Sequence, residues 1–259
     1  MTKYKGYFID LDGTVYAGKK RIPAAKRFIE SLQKQSIPFL FVTNNSTKLP
    51  VDVVADLENN HDIHVSEENV YTSGMATADY MESQTNDPRA SSVYIVGEMG
   101  LYQSILAKGF QLNKVDPEFV VVGLDSDLTY EKLTEAVLAI RNGSKFIGTN
   151  PDTNIPKERG MLPGAGTVVK FVEHATQQEP IMIGKPNAMI INSALQRIGL
   201  TKDEVIMVGD NYNTDIKAGI NAEIDTLLVY SGLSTKEEVS QQEIQPTYQI
   251  DSLDEWQFK

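Results

Sequence analysis

Short apolar runs alternate along this chain with stretches of helical period, the pattern of a parallel sheet covered by helices and hence of an α/β fold. The runs at 6–9, 37–42, 70–72, 181–184, 205–208 and 226–229 are brief and mostly apolar. Strands buried on both faces read this way. Between them the spacing predicts a helix opening at Pro23, with Ala25, Phe28, Ile29 and Leu32 on one face. Proline suits a first helical position, where its missing N–H costs nothing. A second face, Ala188, Ile191, Leu195 and Ile198, stops at Gly199, a natural helix terminator. The acidic tail from Thr235 onward reads as a short helix, a strand near Tyr248 and a last turn around Trp256.

The middle of the chain reads as a separate unit. A polar stretch with a proline, Ser83-Gln-Thr-Asn-Asp-Pro-Arg89, follows Glu82 and has the composition of a linker. Strand candidates at 93–96 and 119–124 come next. Thr129 is placed to cap a helix carrying Leu133, Ala136, Val137 and Ile140 and ended by Gly143. A further helix, with Val168, Phe171, Val172 and Ala175 on one face, precedes Gln177-Gln-Glu-Pro180. The expected division is a core built from residues 1–82 and 180–259, interrupted by an α/β insertion at 83–179. The alternative is one continuous sheet.

At 259 residues the chain is long enough for one large domain or two modest ones, and 41% apolar residues suffice for a packed core. No run approaches the roughly 18 consecutive apolar residues of a membrane span. The first ten residues lack the apolar region and small-residue cleavage site of a secretory signal, so a soluble cytoplasmic protein is expected. Absence of cysteine excludes disulfides, thiolate metal sites and a cysteine nucleophile. A formal charge of −11 argues against a broad nucleic-acid-binding face. It also repels an anionic substrate, so a phosphate site here must supply positive charge locally, from a metal ion or a placed lysine.

That requirement gives weight to the polar groups at strand ends. Asp10-Leu11-Asp12-Gly13-Thr14 follows the first apolar run directly, where ligands bind in open α/β sheets. Two carboxylates two residues apart can divide labour, one attacking while the other handles protons, and Gly13 allows a sharp turn and close ligand approach. The second run ends in Thr43-Asn44-Asn45-Ser46, offering a hydroxyl and backbone N–H groups to phosphate oxygens. The run at 181–184 ends in Lys185-Pro186, a compact point charge at the rim. The run at 205–208 ends in Gly209-Asp210-Asn-Tyr-Asn-Thr-Asp215, with carboxylates for a hard cation.

In type and order these residues closely resemble the four motifs of the haloacid dehalogenase-like hydrolase superfamily. The strings Val42-Thr-Asn-Asn-Ser46, Gly184-Lys-Pro186 and Val208-Gly-Asp-Asn-Tyr-Asn-Thr-Asp215 look like its NagD-like, or 4-nitrophenylphosphatase-type, branch. The resemblance covers almost the whole chain. It implies a Rossmann-like doubly wound parallel sheet core with an inserted α/β cap that selects substrate, and a Mg²⁺-dependent phosphatase acting on small phosphorylated metabolites. Carried over, it makes Asp10 the nucleophile that becomes an aspartyl phosphate. Asp12 becomes the group that protonates the leaving oxygen and then activates water. Mg²⁺ falls to the Asp10 carboxylate, the Asp12 backbone carbonyl and the Asp210 carboxylate, with Asp215 in support. Thr43, the Asn44 backbone and Lys185 take the phosphoryl oxygens. A cap-mediated homodimer is a further implication.

Two other readings use the same residues. A phosphotransferase or mutase shares the intermediate and differs in what accepts the phosphoryl group. A receiver-like signalling module also gathers acids, a threonine and a lysine around a phosphorylatable aspartate, but carries adjacent acids after its first strand, unlike Asp10 and Asp12. His61 and His64 read as a solvated turn rather than a metal site, and His174 as surface. Thr149–Asp152 and Gly164–Gly166 read either as ordinary turns or, by resemblance, as substrate-choosing loops. Tyr212 and Asn213 are candidates for the lining of the entrance.

Overall fold

The computed structural model describes residues 4–157 and 159–258; the first three of the ten residues read for a secretory signal lie outside them. The chain divides into two compact units, one of Met1–Thr43, Pro50–Tyr71 and Lys185–Lys259, the other of Asn44–Leu49 and Thr72–Gly184. The expected borders were 82/83 and 179/180. Two elements account for the difference. The helix Ser73–Ser83 packs on the helix Met99–Leu106 of the second unit. The run at 181–184, expected as a core strand, is a two-residue strand, Ile181–Met182, paired in parallel with Lys145–Gly148 of the second unit's sheet.

The first unit is built on a six-stranded sheet. Its order is Tyr248–Ile250, Asp225–Val229, Val205–Gly209, Gly6–Ile9, Phe39–Thr43, Val70–Thr72. The central strand Gly6–Ile9 is fully buried and runs parallel to both neighbours, with Ile9 opposite Val208 on one side and Phe41 on the other. From that strand the chain first works outward through Phe39–Thr43, then returns to build the other half from Val205–Gly209. The topological switch point therefore lies between Gly6–Ile9 and Val205–Gly209, where Asp10 and Asp210 leave the sheet. In open α/β sheets the crevice outside such strand ends is where ligands bind.

Helices cover this sheet as the periodicity requires. Pro23–Lys34 starts at its proline and buries Ala24, Ala25, Phe28, Ile29 and Leu32. Ala188–Ile198 ends at Gly199 in the left-handed conformation, but its buried face is Ile190, Ile191, Ala194 and Leu195. Adjacent pairs one turn apart form a broad contact stripe, which a single row spaced by three and four residues only half describes.

The second unit has a five-stranded sheet ordered Ile181–Met182, Lys145–Gly148, Phe119–Val122, Ser92–Val96, Gln111–Leu112, every neighbouring pair parallel. Thr129 caps Tyr130–Arg141, its hydroxyl accepting the Lys132 N–H. In Ala165–Thr176 the buried face is Val168, Val169, Val172 and Thr176, while Phe171, expected on that face, is 48% exposed. An antiparallel hairpin of Asn154–Lys157 and Gly160–Pro163, without a strong apolar alternation, went unforeseen. Among the described residues no helix is long and apolar enough to cross a membrane.

Candidate active site

Four of the expected side chains converge at the switch point of the first sheet. Asp10 emerges as its N–H donates to the Val208 carbonyl at 2.9 Å. The next residues close into one turn, with the Val15 N–H donating to the Leu11 carbonyl at 2.8 Å. Gly13 occupies this turn at φ +99°, and a Cβ there would stand 2.3 Å from Asp210 Oδ2. Conformation and space both demand glycine.

Asp210 leaves the neighbouring strand end with both oxygens engaged. Oδ1 accepts the Thr14 hydroxyl at 2.8 Å and Oδ2 accepts the Leu233 N–H at 2.8 Å. After it the chain winds as a π-helical turn, Tyr212–Ile216, which begins one residue after Asn211 and brings Asp215 back toward the sheet. Asp215 Oδ2 accepts the Asn211 N–H at 3.0 Å. Wide turns of this kind recur at functional sites because they re-aim side chains that an α-helix would turn elsewhere.

Lys185 ties the cluster together. Its ammonium lies 2.5 Å from Asp10 Oδ1, 2.8 Å from Asp215 Oδ1 and 2.7 Å from the Val42 carbonyl. That is three acceptors for three hydrogens, at 1% exposure. Burial alone would lower the pKa of such a lysine; the Asp10 and Asp215 carboxylates outweigh it and raise the value, so the charge is held. The acids are short of countercharge. Burial, with Asp215 next, lifts Asp10 well above the usual carboxylate range, against the pull of Lys185. Burial and Asp215 push Asp210 up to about 6, against the Leu233 and Thr14 hydrogen bonds.

Oxygens of Asp10, Asp210 and Asp215 lie within 4.8 Å of one another. Three carboxylates facing one ammonium leave an excess of negative charge, and the donor set is all oxygen. Both features fit a hard divalent cation. Gly232 supports the same conclusion: a Cβ there would stand 1.9 Å from Asp210 Oδ2, so only glycine keeps that carboxylate clear.

The other expected residues are placed as follows. Thr43 ends the strand beside Gly6–Ile9 and is buried, next in sequence to the Val42 carbonyl that Lys185 engages. The Asp12 carboxylate is exposed and accepts the Gly18 N–H at 3.1 Å. Asn44 opens the second unit; its side-chain amide donates to the Asp152 carboxylate at 3.0 and 3.1 Å, and its carbonyl accepts from Ser73 and Asn150. Thr149–Asp152 and Gly164–Gly166, read either as ordinary turns or as substrate-choosing loops, interlock. The Gly166 N–H donates to the Asp152 carbonyl at 2.9 Å, and a Cβ on Gly164 would meet that oxygen at 2.2 Å.

Two expectations need correction. Tyr212 does not line an entrance: it is buried, and its hydroxyl donates to the Ile244 carbonyl at 2.6 Å. His61 is not solvated but buried, stacked on Tyr16. Only His64 behaves as a solvated turn residue, exposed beside Glu58 and Asp62. Sequence reasoning also missed the loop Tyr230–Ser234. There Ser231 donates to the Gly13 carbonyl at 2.7 Å, and the Tyr212 N–H donates to the Ser234 hydroxyl at 2.8 Å. Its signal was the small-residue string Ser231-Gly232 just past a buried strand.

Family comparison accords with this geometry. A model described as haloacid dehalogenase-like hydrolase matches residues 7–111, and a second HAD-hydrolase-like model matches 182–256. A relative named 5'-nucleotidase YutF, from Bacillus subtilis (strain 168), is 46% identical over 256 residues, 99% of this chain and 98% of its own. The chain belongs to the haloacid dehalogenase-like hydrolase family. An acid sugar phosphatase of Staphylococcus epidermidis is 48% identical over 254 residues, covering 98% of this chain and 96% of its own. The solved structure of NagD from E. coli K-12 superposes with a TM-score of 0.93 at 30% identity, over the full length of both chains. Within the family, then, this chain is a NagD-like phosphatase.

Proposed function

We propose that this family member is a Mg²⁺-dependent phosphatase that hydrolyses small organic phosphate monoesters of the sugar phosphate or nucleotide type through an aspartyl phosphate on Asp10. The observation that carries the reading is the placement of Asp10 at the switch point, its Oδ1 held 2.5 Å from the Lys185 ammonium. The names of the two relatives, a 5'-nucleotidase and an acid sugar phosphatase, support the substrate class.

In this reading Asp10 attacks phosphorus in line, and the bond to the ester oxygen breaks. Lys185, fixed by Asp10, Asp215 and the Val42 carbonyl, restrains the rotation of the attacking carboxylate and brings positive charge toward the phosphoryl oxygens. The Thr43 hydroxyl and the Asn44 backbone N–H bind those oxygens. Asp12 gives its proton to the leaving oxygen, then takes one from the water that hydrolyses the acyl phosphate. Asp10, Asp210 and the Asp12 carbonyl would hold Mg²⁺, and Asp215, whose oxygens face Lys185 and the Asn211 N–H, supports from behind. The cation, when bound, neutralises the excess acid charge so that an anionic ester can approach. Phosphoryl transfer needs positioning and charge neutralisation above all. The second unit acts as the substrate-selecting cap.

The test is phosphate release from 4-nitrophenyl phosphate. Turnover is expected to vanish on chelation, return with Mg²⁺, and fall by about a thousandfold or more in Asp10→Asn, the loss of a nucleophile. Turnover indifferent to both changes would refute the proposal.

A further inference from the structure

The segment after the Asp10–Thr14 loop is a small hairpin, Tyr16–Ala17 against Lys20–Arg21. Two-residue strands do not hold a shape alone. Yet Asp12 depends on this hairpin for its surroundings. Asp12 and Tyr16 form an isolated β-bridge, the Gly13 N–H donates to the Tyr16 carbonyl at 2.6 Å, and the Gly18 N–H at the hairpin turn donates to Asp12 Oδ1 at 3.1 Å.

The hairpin is fastened at the C-terminal end of the helix Pro50–His61. Arg21 Nε donates to the Asn60 carbonyl at 2.6 Å, one of the helix-end carbonyls that a cation satisfies well. His61, 3% exposed, lies flat on Tyr16, with ring centroids 4.4 Å apart and planes within 13°. Burial first, then the Asp12, Asp10 and Asp56 carboxylates, hold the pKa of the Tyr16 hydroxyl above its usual value and so keep it protonated. Tyr16 is thus a link between a buried imidazole and the turn that carries Asp12.

We propose that His61 is a positioning residue for the reaction: its stack on Tyr16 anchors the hairpin, and the hairpin fixes the Asp12 carboxyl in the attitude for proton transfer to the leaving oxygen. The inference rests on the reading of Asp12 as proton donor, and its test separates the two.

The readout is kcat/KM for two esters. A simple alkyl phosphate expels a strongly basic alkoxide and needs the proton; 4-nitrophenyl phosphate expels a stable phenolate and does not. In His61→Ala the alkyl ester is expected to lose about tenfold or more, a fraction of the ~100–10,000-fold that a placed acid supplies, while the nitrophenyl ester changes by less than about twofold. His61→Phe, which keeps a flat ring on Tyr16, is expected to restore the alkyl ester. His61→Leu fills the space without a flat ring and reads the same quantity if the alanine variant does not accumulate folded. A merely structural role would lower both esters in step or neither, and either result overturns the proposal. Asp12→Asn is measured beside them. If it separates the esters and neither the alanine nor the leucine variant does, the anchor fails and the acid assignment stands. If it does not separate them, the acid assignment fails and the anchor with it.

Discussion

Each unit of this phosphatase holds a buried aspartate against a lysine, and the two arrangements differ in their charge balance. In the second unit Asp125 accepts the Lys132 ammonium on one oxygen and the Asp127 N–H on the other, both at 2.9 Å. One base meets one buried acid, with the exposed Asp127 carboxylate 3.6 Å from the same ammonium. In the first unit Lys185 faces Asp10 and Asp215, with Asp210 close by. One base meets three acids. The pair in the second unit follows from its helix, which delivers Lys132 to Asp125, three residues past the strand Phe119–Val122. The unbalanced cluster takes Asp10 and Asp210 from two strand ends, Asp215 from the π-helical turn and Lys185 from the loop before the helix Ala188–Ile198, and three glycines leave room for it. Gly13 and Gly232 clear Asp210, and Gly209 clears Asp215, where a Cβ would approach to 2.3 Å. A fold that concentrates like charge against its own stability does so where function requires it.

The comparison breaks most visibly at the lysines. Lys185→Met strands three buried acids and is expected to cost about 3–5 kcal/mol at pH 7.5 without metal, the penalty for uncompensated buried charge. Lys132→Met leaves Asp125 with the Asp127 N–H, in a site where the lysine side chain is already 33% exposed. Its expected cost is about 1–2 kcal/mol. Urea unfolding of the two variants in chelator measures both. Equal costs would show that the two clusters are electrostatically alike.

A second consequence is a pH dependence peculiar to the metal-free protein. Folding raises the pKa of Asp210 from 3.8 to about 6, and that of Asp10 in the same direction. The folded state therefore binds more protons than the unfolded state between those values, and stability falls as pH climbs through that window. The sign is opposite to that of a salt-bridged carboxylate, whose contribution is lost on acidification. For Asp210 the change amounts to about 3 kcal/mol at most. In chelator, the melting temperature at pH 5 should exceed that at pH 7.5, and Mg²⁺ should raise the pH 7.5 value. A metal-free protein that is most stable at pH 7.5 would contradict the charge imbalance.

How much of this was open to sequence reading depended on whether the cause was local. The Asp10–Thr14 turn, Pro23 at a helix start, Thr129 as a cap and Gly199 as a stop are each decided by a few neighbouring residues, and the structure has them. Which sheet a short apolar run joins is decided by distant partners. Ile181–Met182 looked like any other strand, yet it pairs with Lys145–Gly148. Phe171 and Val169 are both apolar on one helix, and only the neighbouring elements make Val169 the buried one. The same holds within the site. Paired carboxylates announce themselves by spacing, whereas Leu233, His61 and the hydroxyl of Tyr212 act through contacts with residues 23, 45 and 32 positions away.

The finest discrimination comes from removing one acid from each cluster, because the two effects should differ in sign. Asp125→Asn keeps an acceptor for the Asp127 N–H but sets an amide against the Lys132 ammonium, at an expected loss of about 1–2 kcal/mol whether or not metal is present. Asp210→Asn gives up one of its two hydrogen bonds, from Thr14 or Leu233, yet relieves the repulsion that lifts the neighbouring acids. In chelator at pH 7.5 the net gain should be about 1 kcal/mol, in a protein that no longer turns over substrate. Added Mg²⁺ should then erase the advantage, since only the unaltered cluster has the full set of carboxylates to draw stability from the ion. Denaturant midpoints of the two variants, each with and without Mg²⁺, decide the matter. If both substitutions destabilise alike in chelator, the cluster of the first unit is as balanced as the pair in the second, and its acids carry no penalty that a cation would need to relieve.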